Sequence, residues 1–137
     1  MKDKTIHQIL PKDISPLLCE ISDPPKRLRM QGNFPQAEKY LTVVGSRKYS
    51  DYGKAVCEYL ISGLRGHPIC IISGLALGMD SIAHRSALSA ELKTVAVPGS
   101  GLSDKVLYPS SHCGLRDQIL EAGGCLLSEF DDDFKAT

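Results

Sequence analysis

The segment from Leu41 to Asp80 runs through one pattern twice: a short apolar run, a loop of small residues, then an amphipathic stretch. Leu41-Thr42-Val43-Val44 leads into Gly45-Ser46-Arg47, and Ile69-Cys70-Ile71-Ile72 leads into Ser73-Gly74-Leu75-Ala76-Leu77-Gly78. Such runs are too short for helices and lack polar alternation, so they read as strands buried on both faces. Thr94-Val95-Ala96-Val97 and Cys125-Leu126-Leu127 continue the series. The order β-α-β-α-β-α-β predicts an α/β fold, an open parallel sheet of about four main strands with flanking helices joined by right-handed crossovers. In such a sheet the loops after the strands share one edge, and that edge is where these folds bind ligands.

The intervening helices follow from their periodicity. Ser50 or Asp51 caps a helix running to about Leu64, its inner face expected at Tyr52, Ala55, Val56, Tyr59, Leu60 and Gly63. A second helix runs from about Met79 to Ala90, facing inward with Met79, Ile82, Ala83, Ser86, Ala87 and Ala90. Its small side chains allow it to lie close on the sheet. A third spans roughly Ser111 to Ala122 and stops at Gly123-Gly124. Residues 1–40 carry Pro11, Pro16, Pro24, Pro25 and Pro35, which rule out long helices. They read as an irregular lead-in packing on the domain, with a short helix over Ile14–Ile21 and a short edge strand over Arg27–Met30. The regular domain is expected over 41–130, and 131–137 as a frayed acidic tail.

With 137 residues, 42% of them hydrophobic and 23% charged, the chain suits one globular domain with a single core. No apolar run approaches the roughly 20 residues that span a bilayer, and the N-terminal residues lack the apolar stretch of a secretion signal. The five cysteines have no Cys-x-x-Cys spacing and read as free thiols, which points to a reducing, cytoplasmic setting. Basic and acidic residues balance at 16 each, so net charge does not argue for a nucleic-acid partner.

The strand-end loops carry the chemistry. In Gly45-Ser46-Arg47 a glycine permits close backbone approach, a serine offers a hydroxyl, and an arginine offers a forked donor set matched to phosphate. The competing reading is a loop serine and a surface arginine. Lys48 and Lys54 either add charge nearby or are solvated surface. Ser73, Gly74 and Gly78 surround a second loop whose amides could face an anion. The Gly-x-Gly-x-x-Gly spacing is absent, so no dinucleotide cofactor is expected. Asp80 is read as a helix cap and His84, four residues on, as its local partner rather than as a general base. The histidines are dispersed, so no metal site is expected. Gly99, Ser100 and Gly101 form the third loop, followed by Lys105 and Tyr108, the latter able to stack on a base or to anchor the loop. Glu129, after the fourth strand, either binds a hydroxyl or caps the structure. Together the loops predict a polar cleft on one edge and reveal no catalytic pair.

These loops carry a family resemblance. Val44-Gly45-Ser46-Arg47-Lys48-Tyr49-Ser50-Asp51-Tyr52-Gly53 resembles the opening motif of the DNA-processing protein A family, also called Smf. Ser73 to His84 is similar to its second motif, Thr94 to Leu102 with Tyr108-Pro109 to its third, and Leu127-Ser128-Glu129 to its fourth. Leu18 to Pro25 and Leu28 to Gly32 resemble its lead-in. The resemblance implies a Rossmann-like domain that binds single-stranded DNA, protects incoming strands in natural transformation and loads a RecA-type recombinase, acting as a binding protein rather than an enzyme. It places Arg47 in the DNA-binding pocket; the chemistry of the loops adds Gly45, Ser46, Ser73, Gly74, Gly78, Gly99, Ser100, Gly101, Lys105 and Tyr108 as the other expected contacts. Two features depart from the family pattern. Leu77 stands where a basic residue is usual, and the sequence stops before an Arg-Asn-Arg motif and the second half of the sheet, as in a truncated relative. The family's homodimer and recombinase contacts are expected to rest largely on that half.

A rival reading is a nucleotide-binding enzyme or sensor related to phosphoribohydrolases. Those use a Pro-Gly-Gly-x-Gly-Thr loop with a following glutamate, and Pro98-Gly99-Ser100-Gly101-Leu102 lacks both the threonine and the matching glutamate. A further rival is a degenerate interaction module.

Overall fold

The computed structural model describes residues 4–107 and 113–136. Its elements are β1 (Ile6–Ile9), α1 (Pro11–Ile14), a single 3₁₀ turn (Pro16–Cys19), β2 (Leu28–Gly32), β3 (Lys39–Thr42), α2 (Asp51–Ser62), β4 (Ile69–Ser73), α3 (Met79–Ser89), β5 (Lys93–Ala96), α4 (Cys113–Glu121) and β6 (Cys125–Ser128). They build one six-stranded sheet of order β1-β2-β6-β5-β4-β3. The four strands β3 to β6 are parallel, as the alternation of strands and helices requires. Two antiparallel strands from the lead-in extend the sheet on the β6 side.

The four parallel strands lie side by side in chain order, so each right-handed crossover steps the same way and delivers its helix to the same face. The pleat then divides the side chains. Ile71, Thr94, Ala96 and Leu126 point toward the helices, meeting Cys57 and Ile61 of α2, Ile82, Ala83 and Ala87 of α3, and Leu115 and Ile119 of α4. Cys70, Val95, Cys125 and Leu127 point the other way. There they join Leu28 and Met30 of β2, under a cover of Ile14, Leu18, Phe34 and Ala37 from the lead-in. That cover is thin. A hollow of about 790 Å³ remains beside it, bounded by Leu17, Ile21, Tyr40, Val97 and Phe130.

Four expectations are corrected. The first parallel strand covers Lys39–Thr42 and is exposed along its whole length, not buried. Sequential strand order puts it at the rim of the sheet, where only β4 pairs with it. The Arg27–Met30 strand is real but is not an edge, because β1 lies outside it. Helix α2 is rotated from the expected phase: Cys57 and Ile61 face inward, while Tyr52 and Tyr59 are 79% and 77% exposed. Apolar residues occur nearly all around this helix, so periodicity alone left its inner stripe ambiguous.

The fourth correction concerns the acidic tail, which is docked rather than frayed. Arg29 grips Asp132 through two parallel bonds, Nε to Oδ1 at 2.9 Å and Nη2 to Oδ2 at 3.0 Å, and Arg27 pairs with Asp131. Phe130 stacks on Phe134 with ring centres 4.4 Å apart. The Gly101 N–H donates to the Phe134 carbonyl at 2.9 Å and the Ser103 N–H to the Asp132 carbonyl at 3.0 Å. Opposite charge on β2 and a waiting backbone partner hold a segment whose composition suggested solvation.

Candidate functional site

All four parallel strands end at one edge. There the loops after β3, β4 and β5 enclose a cavity of about 400 Å³, lined by Arg47, Gly74, Leu75, Ala76, Leu77, Asp80, Val97 and Gly99, with Ala136 of the tail at its border. Arg47 is exposed, and among the described residues its guanidinium has no ion-pair partner. An arginine that satisfies no internal acid presents its full donor fork to solvent.

The loop bearing Arg47 is held against the start of α3. The Met79 N–H donates to the Ser46 carbonyl at 3.1 Å. Ser46 Oγ accepts from the Lys48 N–H at 3.1 Å, which closes the turn locally. Gly78 has a φ of +85°, and a Cβ there would meet the Ser46 and Arg47 carbonyl oxygens at 2.5 Å. Only glycine allows α3 to begin this close to the loop. Gly78 is also the residue that starts the helix, so Asp80 does not cap it. Asp80 sits in the first turn, where the helix dipole favours a carboxylate, and its carboxylate lies over Gly74.

Below the cavity, His84 ties the second loop to the sheet. It is fully buried; its Nε2 lies 2.7 Å from the Gly74 carbonyl and its Nδ1 2.6 Å from Thr94 Oγ1. A carbonyl only accepts, so Nε2 carries the proton toward Gly74. Both ring nitrogens are thus taken up by Gly74 and Thr94, and the expected local role of His84 beside Asp80 becomes one of fixing the floor of the cleft. Ser73 is buried as well and donates to the Val43 carbonyl at 2.5 Å, which joins the ends of β3 and β4.

The expected contacts therefore separate. Arg47, Gly74 and Gly99 line the cavity together, with Gly45 and Ser46 on the adjoining loop. Among the described residues, the N–H groups of Gly45, Gly74 and Gly99 donate no hydrogen bond. Ser73 and Gly78 are buried supports beneath it. Ser100 and Gly101 are buried in internal contacts: Ser100 Oγ donates to the Gly101 carbonyl, Ser128 Oγ donates to the Ser100 carbonyl at 2.7 Å, and a side chain on Gly101 would strike the tail carbonyls of Asp131 and Asp132. Glycine at 101 makes room for the tail. Lys105 is exposed beyond the cavity, next to Asp104, which pairs with the buried Arg116. Tyr108 lies outside the described residues. Glu129 borders the hollow on the opposite face of the sheet. The supporting part played by His84 had no sequence signal beyond its spacing from Asp80; its partner Thr94 sits on another strand.

Among the described residues no group of acids, cysteines and histidines is arranged to hold a metal. No helix among them is long and apolar enough to cross a membrane. The cleft offers one unpaired cation, free backbone donors and one carboxylate, a set suited to holding an anionic ligand by its phosphates.

Known proteins share this fold. Protein Smf of Escherichia coli is 36% identical over 131 residues, 93% of this chain and 34% of that protein. DNA processing protein DprA of Streptococcus pneumoniae is 42% identical over 107 residues, 74% of this chain and 36% of that one. The X-ray structure of the Streptococcus pneumoniae protein superposes with a TM-score of 0.74 at 36% identity, covering 92% of this chain and 44% of that chain. DNA processing protein A of Helicobacter pylori, whose structure addresses its mode of single-stranded DNA binding, superposes with a TM-score of 0.79 at 27% identity, covering 100% of this chain and 61% of that chain. The chain spans about a third of the length of these curated relatives. The family described as DNA recombination-mediator protein A matches residues 5–137, and this chain belongs to it.

Proposed function

We propose that this chain binds single-stranded DNA by its phosphates at the strand-end cleft. The observation that carries the reading is Arg47: a guanidinium without an internal acid, exposed on a cleft whose other walls are glycine-rich backbone. Arg47 pairs with a phosphate, and the free amides of Gly45, Gly74 and Gly99 hold neighbouring phosphate oxygens. Ser46 adds a hydroxyl. Ser73, Gly78 and His84 keep these groups in place without touching the ligand, and Ser100 and Gly101 anchor the tail. Single strands fit better than duplex because the cleft is a rim formed by loops, and among the described residues no helix or ribbon projects from it to enter a groove.

The activity so proposed is binding, not catalysis, in the cytoplasm. It serves DNA uptake and recombination by shielding unpaired strands, and assists loading of a RecA-type recombinase in the context of the whole protein. The Smf and DprA relatives and the single-stranded DNA bound by the Helicobacter pylori protein support this reading.

Titration of a fluorescent single-stranded oligonucleotide at two salt concentrations, with duplex as control, tests it. Affinity is expected to fall as salt rises, because each neutralised phosphate releases counterions. Arg47→Ala removes a charge-assisted contact worth about 1.5–3 kcal/mol, roughly 10- to 150-fold in affinity, and leaves the melting temperature unchanged. Oligonucleotide binding that survives Arg47→Ala intact would overturn the assignment.

A further inference from the structure

A second depression of about 400 Å³ runs along the helical face between α2 and α3. Lys54 lines it from α2, Arg65 from the turn that follows α2, Arg85 from α3, and Ser86 and Ser89 add hydroxyls. Glu58 is the one carboxylate in its wall. Arg65 is already engaged, pairing with Glu91 at 3.2 Å and donating to the Ser89 carbonyl. Lys54 and Arg85 have no ion-pair partner among the described residues. Two free cations against one acid make a groove that attracts a polyanion and holds an isolated small anion poorly.

The groove and the cleft are lined by neighbouring residues at two points of the chain. Arg47 lines the cleft and Tyr49, two residues on, lines the groove. Asp80 lines the cleft and Ser81, its neighbour in the first turn of α3, lines the groove. From Lys54 to Ser62 the α2 wall extends for about 12 Å at 1.5 Å per residue, long enough to accompany about three nucleotides at roughly 3.4 Å each. Tyr49 stands at the divide, half exposed, where a base can stack on its ring.

We infer that a single strand held at the strand-end cleft continues into the α2–α3 groove, with Lys54 and Arg85 as a second set of phosphate contacts. The inference rests on the proposed function of the cleft and extends it from a point contact to a track. Because the groove is weakly charged, it acts on a strand already anchored at the cleft, where linkage supplies a high local concentration.

The test compares an oligothymidylate of about six nucleotides with one of about 20, lengths that bracket common single-strand site sizes. In Lys54→Ala/Arg85→Ala the short strand is expected to keep its affinity, the long strand to lose about tenfold, and the long strand's salt slope to shrink by about 1.4, or about 0.7 per lost phosphate contact. Glu58→Gln is expected to act in the opposite direction and tighten the long strand alone, a gain that misfolding cannot produce. Unchanged long-strand binding in the double variant overturns the track, and so does an equal loss on both lengths. Absence of binding by the unaltered protein to either strand overturns the cleft itself, while a normal wild-type response with an inert double variant overturns only the groove.

Discussion

Arg47 owes its availability to residues that never meet a ligand. Its loop is seated by the Met79 N–H on the Ser46 carbonyl and by the close approach of Gly78. Gly78→Ala places a methyl group against two backbone oxygens at a residue with φ of +85°. Backbone cannot swing aside as a side chain can, so the loop or the first turn of α3 must move. The expected result is a loss of about 1–3 kcal/mol in urea-monitored stability together with weaker oligonucleotide binding. An alanine variant as stable as the parent would mean that the close approach is not required. The same logic explains His84, expected as a local partner of Asp80 and found as the buried link between Gly74 and Thr94.

At the level of elements, the orientation of α2 matters most, since it decides which residues hold the core and which face the α2–α3 groove. Ile61 is 2% exposed, packed among Ile71, Ala83 and Leu92. Ile61→Ala is expected to destabilise by about 2–5 kcal/mol by leaving a cavity. Tyr59→Ala, on a residue 77% exposed, is expected to change stability by no more than about 0.5 kcal/mol. Equal effects of the two substitutions on the melting midpoint would restore the phase that periodicity alone suggests. The tail belongs to this level too, because its attachment to β2 through Arg29 and Asp132 brings Ala136 to the border of the cleft.

Over the whole molecule, the two faces of the sheet are unequal. Three helices cover one face, while the lead-in and the tail cover the other in part. Beneath that partial cover lie Cys70 and Cys125, whose burial pushes their thiols up from 9.0 to about 11 and about 12. Both states are protonated below pH 9, so neither thiol then contributes to pH dependence. Above it the unfolded chain ionises while the fold keeps its thiols neutral, so stability falls as pH rises from about 9 toward 12. Urea midpoints measured across this range are expected to decline, and to decline less steeply in Cys125→Ala. A slope unaffected by that substitution would show that these thiols ionise without unfolding.

Local patterning was sufficient for the parallel sheet, the succession of helices, the convergence of glycine-rich loops on one edge and the place of Arg47 in it. These follow from short-range rules: apolar runs make strands, 3.6-residue periods make helices, and right-handed crossovers bring the strand ends together. The glycine pair closing α4 was legible in the same way, since Gly123 takes a φ of +86°. The position of β3 at the rim, the insertion of β2 beside β6, the docking of the tail and the burial of Ser100 and Gly101 were not legible. Each depends on a partner far away in the chain, such as Asp132 for Arg29 or Phe134 for Gly101, and a residue's neighbours in sequence carry no record of which distant surface will meet it.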